Sequence, residues 1–309
     1  MVDNTALTPQ EVADILKIAK NTVYELIKRG ELNAYRVGKK IRVDMKDIEA
    51  YKNRTKSQIS SSLDQNVTQE ETSKSLGFII SGQDILLDVL VRHLNNHPIG
   101  IEALRSHEGS YNGLYALYHD RIQMATAHLW DGDTGEYNVP YVRRMLPGVP
   151  AVIIRLAGRI QGFYVTKGNP KGIQTWEDLK RQDLTIINRE KGSGVRILLD
   201  EHLKKLGILS KTIRGYENEG PSHLAIASTV ARGEADLGIG NEKTSLQVKE
   251  IDFIPLQQEQ YDLVIKKEDL NKTPFKAALE ILRSREFKLE LEGIGGYDLK
   301  ETGNIVAET

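Results

Sequence analysis

Residues 188–200 read NREKGSGVRILLD, and the reading of this stretch decides the fold. Gly192, Ser193 and Gly194 stand directly before an apolar run at helical spacing, formed by Val195, Ile197, Leu198 and Leu199. Glycine lets backbone N–H groups converge, and a helix N-terminus carries partial positive charge. The junction therefore suits an anion, and equally suits a plain helix cap with a tight turn. The Walker pattern G-x-x-x-x-G-K-[ST] occurs nowhere in the chain, so the junction reads as a cradle that holds an anion without transferring it. The same chemistry recurs after other apolar runs, at Ser81-Gly82, at Gly109-Ser110, at Gly220, Ser222 and His223, and at Gly240-Asn241. In open α/β sheets, ligands collect at the carboxyl ends of the strands. Four such junctions converging would make an oxyanion site of neutral N–H and O–H donors.

Working outward, residues 76–309 alternate short apolar runs with helical patterns, an α/β chain with parallel-sheet logic. Residues 149–168, VPAVIIRLAGRIQGFYVTKG, predict two strands; residues 251–267, IDFIPLQQEQYDLVIKK, predict a strand pair; and residues 273–291 predict one terminal helix. Tyr111, Tyr115 and Tyr118 recur at helical spacing and read as packing residues. Upstream, residues 54–75 hold few strong apolar residues and read as a polar linker, spanning roughly 25 Å on average.

Residues 1–53 carry a different pattern. Thr8 caps a helix whose first turn takes Pro9, Glu11 sits three residues after the cap, and Val12, Ala13, Ile15 and Leu16 form its buried side. A second helix places Val23, Leu26 and Ile27 inward and ends at Gly30; two short strands around Gly38-Lys39-Lys40 follow, then a helix capped by Asp44. Helix, tight turn, helix and basic hairpin make a winged helix-turn-helix. Charge divides the same way. Residues 1–56 hold 12 Lys+Arg against 8 Asp+Glu, and the remainder 30 against 35. A basic head on an acidic body implies two different tasks.

The 309 residues fit two domains or slightly more, and 39% hydrophobic with 28% charged residues is ordinary for a chain with a sizeable core. The absence of cysteine excludes disulfides, thiolate metal sites and a thiol nucleophile. The seven histidines fall in no H-E-x-x-H spacing, and no metal site is expected beyond the metal of a bound oxyanion. With no signal-peptide pattern and no stretch long and apolar enough to span a bilayer, the expectation is a cytoplasmic protein with no membrane partner.

Residues 6–51 resemble the excisionase/MerR-type winged helix-turn-helix that opens many bacterial regulators. The resemblance implies that Lys20, Asn21, Thr22, Tyr24 and Lys28 face operator DNA, and that Arg36, Lys39, Lys40 and Arg42 form the wing. Lys and Arg neutralise phosphates, while Asn and Thr read base edges or bind phosphate oxygens. Residues 76–309 resemble, through GSYNGLYALY, TGEYNVPYVRRMLPG, RIQGFYVTKGNPKGI, NREKGSGVRILLD, VARGEADLGIG and DFIPLQQEQYDLVI, the periplasmic-binding-protein-like (type II, two-lobed) domain of cytoplasmic regulators and some molybdopterin-biosynthesis proteins. That group is similar to the molybdate-binding proteins of transport systems. It implies a first lobe of about 76–160 and 253–309, a second of about 161–252, and molybdate or tungstate as effector, with no cofactor. By position its anion contacts fall on Ser81, Ser110, Ser193, His223 and Asn241, with Gly82, Gly192, Gly194 and Ser222 as further donors. Asp84, His128 and Arg196 are added as candidates, although Asp84 reads more simply as a helix-N-terminal acid, His128 as a core histidine, and Arg189 as structural. Val195 stands where such domains usually have Thr, and Gln83 where they often have His.

Molybdate carries no proton at neutral pH and needs donors only, whereas phosphate keeps a proton and wants an acceptor, for which Asp84 is near. The leading expectation is a homodimeric one-component regulator of molybdate transport or molybdenum-cofactor genes, its paired heads reading two half-sites. Two alternatives stand beside it: a cytoplasmic oxyanion delivery protein and a molybdopterin-biosynthesis enzyme component. Against the second, no nucleophile–base–orienter set such as G-x-S-x-G emerges, so no catalytic residue is expected.

Overall fold

The computed structural model describes residues 6–16, 18, 20–28, 32–38, 40–49, 51 and 77–309. They fall into two compact units, Met1–Lys74 and Ser75–Thr309.

In the first unit, β1 (Ala6–Leu7), α1 (Pro9–Leu16), α2 (Lys20–Lys28), β2 (Tyr35–Val37) and β3 (Lys40–Asp44) follow in order, with a helical stretch at 45–49. The reciprocal cap expected at the start of α1 is present. Thr8 N donates to Glu11 Oε2 at 2.7 Å, and Glu11 N donates to Thr8 Oγ1 at 3.3 Å. Val12, Ala13, Val23 and Leu26 pack with Leu32, Val43 and Ile48. β3 pairs antiparallel with both β1 and β2, so the hairpin is fastened to the chain entering α1. Gly30 and Lys39 lie outside the described residues.

The second unit is built on one mixed sheet. Its elements are β4 (Phe78–Ser81), α3 (Leu86–Asn95), β5 (Ala103–Ser106), α4 (Ser110–Tyr118), β6 (Met124–Ala127), α5 (Val139–Met145), β7 (Ala151–Thr166), β8 (Ile186–Arg189), α6 (Gly194–Leu206), β9 (Glu219–Gly220), α7 (His223–Ala231), β10 (Leu237–Asn241), α8 (Glu242–Ser245), β11 (Ile251–Lys266), α9 (Thr273–Arg283), α10 (Arg285–Ile294) and β12 (Ile305–Glu308). The strand order is β5-β4-β6-β11-β7-β10-β8-β9, with β12 also on β7. β4, β5 and β6 run parallel, as do β8, β9 and β10, whereas β7 and β11 are antiparallel to each other and to their neighbours.

Here the structure corrects the sequence reading. Residues 151–166 form one 16-residue strand, and residues 251–266 another, where two pairs of shorter strands were expected. The two pair with each other from Ile251↔Thr166 to Lys266↔Ala151. β7 leaves the first lobe and enters the second, and β11 returns from the second to the first. The polar middle of each strand resembles a turn in sequence, yet remains extended because the partner strand supplies both hydrogen bonds and opposite charge. Arg159 stands directly across from Glu259 and Arg155 across from Asp262, and Arg155 Nε donates to Asp262 Oδ1 at 2.6 Å. The terminal helix is likewise two helices: Ser284 accepts from Phe287 N and so begins a second cap. Tyr111 and Tyr115, expected to pack, are exposed.

Separate cores lie on either side of the crossing strands. One gathers Phe78, Leu90, Met124, Ile154, Leu263, Phe275 and Phe287. Another gathers Phe163, Leu179, Ile186, Leu198, Leu199 and Ile239. Trp130 and Tyr137, from a segment assigned by sequence to the first lobe, belong to this second core. His202 of α6 lies stacked between Trp130 and Trp176, at ring-centroid distances of 4.5 and 3.8 Å.

Candidate functional site

The carboxyl ends of β4, β6, β8 and β10 and the starts of α4, α6, α7 and α8 border a cavity of about 430 Å³ between the two lobes of the second unit. Gly82, Asp84, Ser110, His128, Ser193, Gly194, Ser222, His223 and Asn241 line it. Three of the sequence candidates do not. Ser81 Oγ is buried without a partner, Gly192 lies against Asn112 and Gly109, and Arg196 turns away. Arg196 Nη1 donates to the Arg189 carbonyl and to Glu219, both at 3.1 Å, and its guanidinium lies 4.1 Å from the centre of the Tyr216 ring. Arg189, read as structural, is buried on the cavity wall and pairs there with Glu190.

The lining hydroxyls share a pattern. Ser193 Oγ accepts from Arg196 N at 3.2 Å and Ser222 Oγ from Ala225 N at 3.1 Å, each capping a helix. Asn241 Oδ1 accepts from Thr244 N and Oγ1, both at 2.9 Å. A hydroxyl that accepts from its own helix keeps its proton to donate, and an amide whose oxygen is used keeps its N–H groups. No acceptor among the described residues takes these donors, nor the Ser110 hydroxyl.

The buried carboxylates of Asp84 and Glu259, by contrast, are occupied. Arg159, in the middle of β7, donates through Nη1 to Asp84 Oδ2 at 2.6 Å and through Nε to Glu259 Oε2 at 2.7 Å. It also lies 4.0 Å from the centre of the Tyr261 ring. Asp84 Oδ1 accepts from Leu86 N at 2.8 Å and from the Tyr297 hydroxyl. The acid therefore both starts α3 and pairs with Arg159. Glu259 Oε1 accepts from Gln161 Nε2 at 2.8 Å and faces His128 Nδ1 at 2.6 Å. Burial raises both carboxyls, but Arg159 and these hydrogen bonds outweigh it, holding Asp84 below the ordinary range and Glu259 at about 2. His223 is held neutral, well below the usual histidine range, by burial and by the Arg189 and Arg159 guanidiniums; its Nδ1 has no partner.

Arg159, Glu259 and Tyr261 were missed in the sequence because they interrupt apolar runs. The available signal was the opposite charge at matching positions of the two runs, Arg155 and Arg159 against Asp262 and Glu259. The glycines of residues 192–194 also have a different role from the one expected. Gly192 has φ +89, and a Cβ there would lie 2.9 Å from Asn112 Oδ1; a Cβ on Gly194 would lie 2.5 Å from His128 Cε1. A Cβ on Gly109 would lie 2.7 Å from the Gly192 carbonyl oxygen, and Tyr111 N donates to that oxygen at 3.1 Å. These glycines let the two lobes touch backbone to backbone.

In the first unit, Lys20, Asn21, Thr22, Tyr24 and Lys28 are exposed along α2, Arg36 and Lys40 are exposed on the hairpin, and Arg42 is half-buried. Among the described residues no group of three or more His, Asp or Glu is placed to hold a metal ion, and no helix is long and apolar enough to cross a membrane.

This arrangement defines a two-lobed ligand-binding protein with a helix-turn-helix unit ahead of it. The chain belongs to the PBP superfamily domain family, matched over residues 91–283, and carries a helix-turn-helix domain matched over residues 6–56. It is 45% identical over 312 residues to the uncharacterized protein YvgK of Bacillus subtilis (strain 168), covering 100% of both chains. It is also 66% identical over 112 residues to a protein encoded in the 5' region of a ferredoxin 2Fe-2S gene of Clostridium pasteurianum, covering 36% of this chain and 99% of that one. Among solved structures, EhuB in complex with hydroxyectoine superposes with a TM-score of 0.54 at 13% identity, over 75% of this chain and 92% of that chain. An ABC-type phosphate transport receptor from Vibrio cholerae gives 0.50 at 14% identity, over 72% and 99%. At these identities the structural likeness is one of fold. The two matched families are a DNA-binding domain and a ligand-binding domain, so the chain joins a DNA-binding unit to a small-molecule-binding unit.

Proposed function

We propose that this protein is a cytoplasmic, homodimeric transcription regulator whose second unit closes on a tetrahedral oxyanion, molybdate or tungstate, and thereby alters operator binding by the first. The observation that carries the ligand reading is the imbalance in the cavity. Donors on Ser110, Ser193, Ser222 and Asn241 are unused, while the buried oxygens of Asp84 and Glu259 are filled by Arg159, Tyr297, Gln161, His128 and the Leu86 amide. Such a lining favours an anion that brings no proton, hence molybdate or tungstate over hydrogen phosphate. The resemblance of the body to molybdate-binding proteins supports the same reading. In the first unit, α2 presents Lys20, Asn21, Thr22, Tyr24 and Lys28 to the major groove, and the hairpin is the wing that sets Arg36, Lys40 and Arg42 on the backbone. Coupling between ligand and operator is expected at about 1–3 kcal/mol.

The test is calorimetric titration of the full chain with molybdate, tungstate, sulfate and phosphate, with Ser110→Ala and Ser193→Ala alongside. Molybdate or tungstate binding that weakens in both variants supports the reading; phosphate binding as tightly as molybdate would sink it. One observation favours a second reading. At about 430 Å³ the cavity lies within the range of about 300–1,000 Å³ usual for small-molecule pockets, so a larger organic anion with the same donor-seeking head also fits.

A further inference from the structure

Gln83 follows β4 in the first lobe, and in the second Arg189 ends β8 and Glu190 follows it. Arg189 and Glu190 form a two-bond ion pair, with Nε to Oε2 and Nη2 to Oε1 both at 2.7 Å. The Gln83 amide meets both members across the cleft. Its Oε1 accepts from Arg189 Nη2 at 2.7 Å, and its Nε2 donates to Glu190 Oε1 at 3.3 Å. The same Nε2 donates to the His107 carbonyl at 3.1 Å, which fixes which way round the amide stands. A primary amide places one acceptor beside one donor, the complement of an Arg–Glu pair. The Arg189 side chain is only 2% exposed, so its charge-assisted bond to Gln83 is made from a buried guanidinium, while Glu190 stays partly open to solvent. Close by, the Tyr111 amide crosses the same cleft to the Gly192 carbonyl.

We propose that Gln83 is an affinity-determining residue of this cavity, its amide clasping the Arg189–Glu190 pair of the opposite lobe and setting the fraction of protein that is closed. Apparent affinity is the intrinsic affinity multiplied by the fraction of competent protein. Loss of the clasp therefore weakens every anion by the same factor and leaves their ranking unchanged. The binding readout rests on the anion reading given above; the closure readout does not.

The experiment uses the full chain, with molybdate as the probe and hydrogen exchange at the Tyr111 amide as a ligand-independent measure of closure. Gln83→Glu keeps an acceptor for Arg189 but sets a carboxylate against Glu190. It is expected to weaken molybdate about 10- to 100-fold and to speed Tyr111 exchange about tenfold or more. The double variant Gln83→Glu with Glu190→Gln restores one acceptor and one donor with their positions exchanged, and is expected to return both readouts to within about threefold of wild type. A merely space-filling Gln83 gives no such rescue. Unchanged exchange in Gln83→Glu, or a double variant as impaired as the single one, overturns the proposal. If wild type binds none of the oxyanions, the ligand reading fails, and Tyr111 exchange alone decides whether the clasp exists.

Discussion

The replacement Gly194→Ala tests why the 192–194 stretch is glycine-rich. Gly194 is the first residue of α6 and has an ordinary negative φ, so the backbone tolerates alanine, which favours a helix by up to about 1 kcal/mol. The obstacle is across the cleft. The new Cβ would lie 2.5 Å from His128 Cε1 and 2.6 Å from Nδ1, against a normal separation of about 3.5–4 Å. His128 has little room to retreat, since Nδ1 is held 2.6 Å from Glu259 and the ring packs edge-on against Tyr261. Relief requires the lobes to part by about 1 Å. Overpacking of this size costs about 1–3 kcal/mol, and here the cost falls on the closed form. Under the oxyanion reading proposed above, molybdate affinity should therefore drop about 5- to 150-fold, while the thermal midpoint of the ligand-free chain stays level or rises. Titration with calorimetry and small-angle scattering measures both consequences. In a His128→Ala background the second substitution should cost less than about threefold, because the obstructing ring is gone. The steric account fails if Gly194→Ala binds and compacts like wild type, or if its loss is as large without the His128 ring.

Other outcomes follow from the same structure. Arg159→Met leaves Asp84 and Glu259 buried without their cation and should destabilise the second unit by about 3–5 kcal/mol in denaturant unfolding at pH 7. That deficit should narrow as pH falls towards the ordinary carboxylate range, where the stranded acids take up protons. In wild type, His223 is neutral when folded but titrates near 6.5 when unfolded, so the unfolded chain binds the extra proton. Stability should fall as pH drops below about 6.5, this histidine contributing at most about 1.4 kcal/mol per pH unit, and His223→Gln should flatten that slope. The lowered pKa of Glu259 acts lower down: its stabilisation is complete above about 4.5 and disappears as pH falls through about 2. For the first unit, Lys20→Ala or Lys40→Ala should weaken operator and random DNA alike, as read by fluorescence anisotropy. The salt slope should fall by about 0.9 for each phosphate that is no longer neutralised.

Local features were legible in the sequence where their causes are local. The Thr8–Glu11 cap joins residues three apart, and the apolar positions Val12 and Ala13 of α1 and Val23 of α2 are buried as their spacing requires. The strand-end junctions were legible as well, since hydroxyl and glycine at the start of a helix serve that helix's own amides. Long-range causes were not. Gly194 answers to His128, and Gly192 to Asn112, from a different lobe, so the stretch reads as a cradle until the partners are known. Arg159 and Glu259 look like breaks in apolar strands because each neutralises the other from 100 residues away.

The two shared strands also constrain how the chain is made. β6 hydrogen-bonds to the far end of β11, Ala125 opposite Val264, and the intervening 138 residues include the whole second lobe. During synthesis the first lobe must therefore wait, its sheet short of its central strands, until the second has emerged. Unfinished chains would present a completed helix-turn-helix head with no working sensor behind it, a period in which rapid elongation or a chaperone on the exposed edge of β6 would matter most.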